Sequence, residues 1–195
     1  MVSHTGACEH GYSSSTLMGV DVKRTARGAL AGAVAAGAWA AQSPLDVRVF
    51  GVPYLDEELL GKAVTRGRGW RAIGLAMHVC NGALFGAAYA NAAPRLALPP
   101  WARGAAAGLA EHVATWPMTV LVAWAHPARG DLPPLAGDPR AFAQATWRHL
   151  LFGVVLGELE RRLNPPPEPP PERDAHVISS NGHGDIEHAV GAAGG

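Results

Sequence analysis

Apolar and polar positions in this chain fall into long blocks. Residues 72–94 hold about 23 consecutive uncharged positions, opening after Arg71; as a helix this run spans the roughly 30 Å hydrocarbon core of a bilayer. Three further runs predict helices at about 28–45, 102–125 and 140–163. Lys23, Arg24 and Arg27 precede the first, and Pro44 with Asp46 is expected to end it. Pro94, Pro99 and Pro100 make a tight connection between the second and third. Pro117, inside the third, cannot bond to the Val113 carbonyl and predicts a kink there. The fourth run carries Arg148 and His149 early and Glu158 and Glu160 late. In the connection 46–69, Leu55, Leu59 and Ala63 share one helical face, with acids early and Lys62 late. This segment reads as a short helix on the membrane surface or as a solvated helical turn. Trp70, Trp101, Trp124 and Trp147 fall near helix ends, where amphipathic rings favour the headgroup level. The pattern therefore predicts an all-α membrane protein, a four-transmembrane-helix bundle over residues 24–163.

An internal correspondence divides that bundle. Arg27-Gly28-Ala-Leu-Ala-Gly32 matches Arg103-Gly104-Ala-Ala-Ala-Gly108, and His78-x3-Gly82-x3-Gly86 matches His149-x3-Gly153-x3-Gly157, at offsets of 71 to 76 residues. Two tandem helical hairpins of like orientation follow. Each helix carries one glycine pair four residues apart: Gly28/Gly32, Gly82/Gly86, Gly104/Gly108 and Gly153/Gly157. Residues four apart share a helical face, and absent side chains let backbones approach closely in lipid, where water supplies no force between helices. These eight glycines are the predicted packing positions.

Composition fits this picture. Hydrophobic residues make up 48% and charged residues 16% of the 195, below the roughly 25% charged of ordinary soluble domains. Sixteen basic residues balance sixteen acidic ones, so the electrostatic footprint of a nucleic-acid binder is absent. The two cysteines, Cys8 and Cys80, make no disulfide framework. Residues 1–23, rich in Gly, Ser, Thr and His, and residues 164–195, opening on a Pro-Pro-Pro-Glu-Pro-Pro-Pro-Glu stretch, predict disordered tails. His4, Cys8 and His10 in one tail and His176, His183 and His188 in the other lack the partner motif of a metal site.

Ionisable groups at membrane depth are costly and usually face the bundle interior. The intramembrane polar candidates are His78 and Asn81 in helix two, Glu111 and His112 in helix three, and Arg148 and His149 in helix four. Aligned on the first glycine pairs, Glu111 and His112 correspond to Ala35 and Ala36, so one hairpin carries chemistry that the other lacks. Glu111 is expected to pair with Arg148 or with a histidine. Three functions compete. The first is packing, oligomerising or holding a membrane partner, with the polar core as glue. The second is a proton-linked channel or carrier component, since histidine titrates near neutral pH. The third is a haem or metal protein with His78 and His149 as axial ligands; whether a metal binds stays open, and no cofactor is expected on the first two readings. A phosphate loop, a Gly-x-Ser-x-Gly elbow and a His-Glu-x-x-His motif are all absent, so no enzyme is expected.

The His-x3-Gly-x3-Gly helices at His78-Gly82-Gly86 and His149-Gly153-Gly157 resemble those of the YagU-like family of small bacterial inner-membrane proteins, over residues 25–163. The resemblance implies a multi-pass inner-membrane location and carries no established activity or site residues. The partners implied are the lipid bilayer and a second copy or another membrane protein, not nucleic acid. Basic residues divide almost evenly between the two sides, and the tails place both termini in the cytoplasm.

Overall fold

The computed structural model describes residues 21–165, which form six α-helices, one 3-10 turn and no strand. They are α1 (Val22–Phe50), α2 (Asp56–Val64), α3 (Trp70–Ala92, running into the 3-10 turn Ala93–Arg95), α4 (Pro100–Thr115), α5 (Met118–Ala125) and α6 (Pro139–Leu163). The expected tails, apart from the few positions given next, and their histidines lie outside the described residues.

α1 departs from expectation at both ends. The Asp21 carboxylate caps it by accepting from the Arg24 N–H, so Val22 and Lys23 are helical rather than part of a tail. Nor does the helix stop at Leu45. It passes through Pro44 and ends at Gly51, whose φ of 73° lets its N–H turn back to the Val47 carbonyl. Proline removes one backbone donor and crowds the preceding turn. Continuing the helix compensates by carrying Asp46 inward to a buried ion pair. At the other end of the bundle, Asn164 caps α6 through its own N–H to the Glu160 carbonyl.

Proline acts as predicted in the third segment. Trp116 and Pro117 interrupt it, and α4 and α5 replace one continuous helix. Short bonds from Thr119 to the Trp116 carbonyl and from Val120 to the Pro117 carbonyl turn the chain there. α5 buries none of its residues.

α1 and α3 pack antiparallel, as do α4 and α6, and α1 lies along α6. The contacts run through glycine backbones. A methyl group on Gly32 would overlap the Gly82 carbonyl and the Gly86 Cα; one on Gly28 would strike Gly86 and Ala90. In the second pair Gly104 meets Gly153 and Gly157, while Gly108 meets the backbones of His149 and Gly153. The contacts of Gly104 with Gly153 and Gly157 are of the same kind as those of Gly32 with Gly82 and Gly86, and not as those of Gly28, one helical turn away from the match of the two Arg-Gly stretches. The step from Gly32 to Gly104 is 72 residues, and from Gly82 to Gly153 it is 71. The same step of 72 residues leads from Trp39, not from Ala35, to Glu111. Small residues fill the α1 side of the interior: Ala31, Ala35 and Ala36 pack with Trp39, Tyr89, Phe152 and Leu156.

α2 lies against the start of α3, where Gly61 and Gly74 admit each other's backbones; it is a packed element and not a free surface helix. α3 and α4 scarcely meet, which leaves a space between the two helix pairs. At the far end, Arg24 of α1 donates to the Glu160 carboxylate of α6 and to the Ala90 carbonyl of α3. Asn164 donates to the Arg24 carbonyl at 3.4 Å.

One described helix, Trp70–Arg95, is long and apolar enough to cross a membrane. The others fall short for visible reasons: the uncharged stretch of α1 is rich in Ala and Gly and closes on Gln42, Ser43 and Pro44, Pro117 divides α4 from α5, and α6 carries Arg148, Glu158 and Glu160.

Candidate functional site

The largest fully buried side chain among the described residues is Arg148, with 0% of it exposed against 1% for Asp46. Its Nε donates to Asp46 Oδ2 at 2.6 Å and its Nη2 to Asp46 Oδ1 at 2.7 Å, a bidentate pairing. Nη1 donates to Asp56 Oδ2 at 2.9 Å and Nη2 also to the Tyr54 carbonyl at 2.8 Å. Gln42 and Gln144 donate to Asp46, and Trp39 and Tyr54 donate to Asp56. One guanidinium therefore holds α6, the end of α1 and the start of α2 together, with two carboxylates around it. Burial, and after it the Asp56 carboxylate, pushes the Tyr54 phenol well above its ordinary pKa, so Tyr54 stays a donor.

Above this network lies a cavity of about 540 Å³ between the two helix pairs. Its wall contains five of the six polar candidates: His78, Asn81, Glu111, His112 and His149; Arg148 sits behind it. Glu111 Oε2 lies 2.7 Å from His149 Nε2. The other ring nitrogen, Nδ1, lies 2.7 Å from the Ala145 carbonyl, which can only accept. His149 thus keeps a proton on Nδ1, and the contact at Nε2 needs a second proton, carried by the imidazole or by Glu111. The expected partner Arg148 is turned away and fully engaged; the histidine alternative is the one realised.

His112 is 1% exposed. Its Nε2 is 3.0 Å from Thr146 Oγ1, and because that hydroxyl donates to the Phe142 carbonyl, His112 is the donor. His78 is buried, and its Nε2 has no hydrogen-bond partner. His78 and His149 both set their rings edge-on against one indole, Trp39, at centroid distances of 5.1 and 4.6 Å. That pair does not present two free nitrogens for an axial site, since both nitrogens of His149 are occupied. Among the described residues no three His, Cys, Asp or Glu side chains cluster as a metal site. His126, outside the predicted set, bonds the Leu59 carbonyl at 3.0 Å and fixes the loop after α5 to α2.

Asp46, Asp56, Tyr54, Trp39 and Gln144 escaped the sequence reading. Asp46 looked like a helix stop, and Asp56 like the acidic first turn of a surface helix. A usable signal existed: Arg148 is a lone cation inside an apolar block, and such a charge requires an opposite one. Nothing local says which acid supplies it. Compared with protein-family models, with curated proteins and with solved structures, the chain matches none.

Proposed function

We propose that this protein is a four-crossing membrane protein, two like-oriented hairpins, that serves as a proton-linked carrier or channel component, with the proton held between Glu111 and His149. The observation that carries the proposal is the 2.7 Å contact of these side chains on the cavity wall, with the Glu111 side chain 36% exposed. A carboxylate retained only to glue helices together would be sealed, as Asp46 is. A proton on this pair can reach the cavity, and imidazole and carboxylate are both groups that can take it up and pass it on.

The membrane part of the reading is supported by how side chains are sorted. Leu30, Val34, Leu75, Leu84, Val113, Val120, Leu121 and Trp124 face outward, while Arg148, Asp46, Gln144, His112 and Glu160 are buried. Lipid favours that arrangement and water opposes it. The hairpin repeat is supported by matched details at the revised register: Trp39 touches His78 where Glu111 touches His149. Ser43 donates back to the Trp39 carbonyl where Thr115 donates back to that of Glu111. The start of α1 and the end of α6 share one side through Arg24 and Glu160, which we assign to the cytoplasm of an inner membrane; reporter fusions at the two ends read that side directly.

The test is potential-driven proton uptake into liposomes loaded with a pH dye. Wild type acidifies them, and Glu111→Gln falls to the rate of empty liposomes. Equal rates for the two proteins would overturn the proton-linked reading.

A further inference from the structure

We infer that the cavity takes a lipophilic organic monocation, an aryl-substituted ammonium, and that this cation displaces the proton shared by Glu111 and His149. The inference rests on the proton-linked reading above and names its substrate class.

Charge comes first. The charge network at and behind the cavity wall contains three carboxylates, Asp46, Asp56 and Glu111, and one guanidinium, Arg148. Among the described lining residues there is no lysine or arginine. With His149 protonated the network still has one negative charge in excess; with His149 neutral it has two. A monocation restores what the departing proton removes, whereas an anion deepens the imbalance.

The rest of the wall agrees. Trp39, Phe85, Trp116 and Phe152 offer aromatic surface in the cavity that Glu111 also lines, and ring faces attract organic cations. His78 Nε2 is buried without a hydrogen-bond partner on the same wall, a polar atom that an occupant of the cavity would meet. Leu84 of α3 and Met118 of α5 line the cavity while 66% and 59% exposed, giving it an apolar mouth. The volume of about 540 Å³ falls within the roughly 300–1,000 Å³ of sites for drug-sized ligands.

The exchange balances simply. The cation enters beside the Glu111 carboxylate, the proton on His149 Nε2 leaves to water, and Nδ1 keeps its own on the Ala145 carbonyl. One positive charge goes in and one comes out. The charged and titratable groups sharing the wall with the pair are His112 from α4, His78 from α3, Asp56 at the start of α2 and Tyr54 just before it; Arg148 of α6 lies behind the wall, turned away, and Trp39 of α1 faces the pair without charge.

The experiment uses the full chain in detergent. Titration calorimetry with (1-naphthylmethyl)trimethylammonium, in two buffers of different ionisation enthalpy, counts the protons released. This probe has no dissociable proton, so any proton counted comes from the protein. 1-Naphthylacetate, of similar bulk and opposite charge, is the control, and empty micelles are the blank. The expected result is cation binding at least about tenfold tighter than anion binding. Release should approach one proton per cation, with affinity rising as the pH rises, because proton and cation compete for the site. Glu111→Asp keeps the preference for the cation, and Glu111→Gln loses both the preference and the proton release. Equal binding of anion and cation by wild type, or cation binding without proton release, overturns the inference whatever the variants do. Glu111-dependent proton flux without cation binding would end this inference and leave the proton-linked reading standing. Cation-coupled proton release without potential-driven flux would keep the site and end the channel form of that reading.

Discussion

Replacing Arg148 by methionine keeps most of the side-chain volume and removes the charge. The guanidinium has four hydrogen bonds, to Asp46 twice, to Asp56 and to the Tyr54 carbonyl, and is wholly buried. Without it Asp46 remains 1% exposed, held only by the amides of Gln42 at 2.6 Å and Gln144 at 2.8 Å. Breaking a buried pair from one side costs about 3–5 kcal/mol, because the remaining charge is uncompensated. The two amide donors and the indole and phenol on Asp56 soften that, so the lower end, about 3 kcal/mol, is expected for Arg148→Met. This lowers the folding equilibrium constant by about two orders of magnitude. Unfolding by urea or dodecyl sulfate in detergent, followed through tryptophan emission, measures it; Trp39, bonded to Asp56 at 3.0 Å, reports from within the network. A second substitution identifies the cause. Asp46→Asn should destabilise wild type, where it deprives Arg148 of its counter-charge, yet restore about 1 kcal/mol or more to Arg148→Met by removing the stranded carboxylate. An Arg148→Met protein within about 1 kcal/mol of wild type, or an Asp46→Asn cost equal in both backgrounds, would refute the reasoning.

Other consequences are open to measurement. Gly32→Ala should destabilise the protein by about 2 kcal/mol or more, since the methyl meets the Gly82 backbone; Gly37→Ala, with nothing within 4 Å, should stabilise it by up to about 1 kcal/mol through helix propensity. The same unfolding assay ranks them, and a Gly32→Ala protein as stable as Gly37→Ala would discount the glycine contacts. The raised Tyr54 pKa sets an alkaline limit: its contribution is complete below the unfolded value of about 10 and is lost as pH rises towards the folded value, because only the unfolded chain then ionises. Tyr54→Phe should flatten that alkaline decline; an unchanged profile assigns the decline to another group. Cys80 faces outward from the middle of α3. In a Cys8→Ser protein it should resist a membrane-impermeant maleimide in intact vesicles and react once detergent is added, and rapid labelling beforehand would count against α3 as a crossing.

Much of the helix layout was legible along the chain, because unbroken apolar blocks, proline rings and glycine spacing act over a few residues. The interruption at Trp116–Pro117 follows from one missing N–H. The polar positions also announced themselves, since any charged or imidazole side chain in an apolar block demands a partner. What residue spacing could not supply was the partner's identity. Pro44 ends a helix by local rules, yet α1 passes through it, because a carboxylate two residues on meets a guanidinium 102 positions away. The choice of His149 over Arg148 for Glu111 depends on the rotation of α6 against α4, which backbone contact at Gly104 and Gly153 determines. Which glycine lies against the facing carbonyl is likewise set by packing: Gly104 meets Gly153 as Gly32 meets Gly82, one turn away from where the two Arg-Gly stretches match. Local chemistry decides whether a segment is helical and which groups need company; only three-dimensional packing decides who provides it.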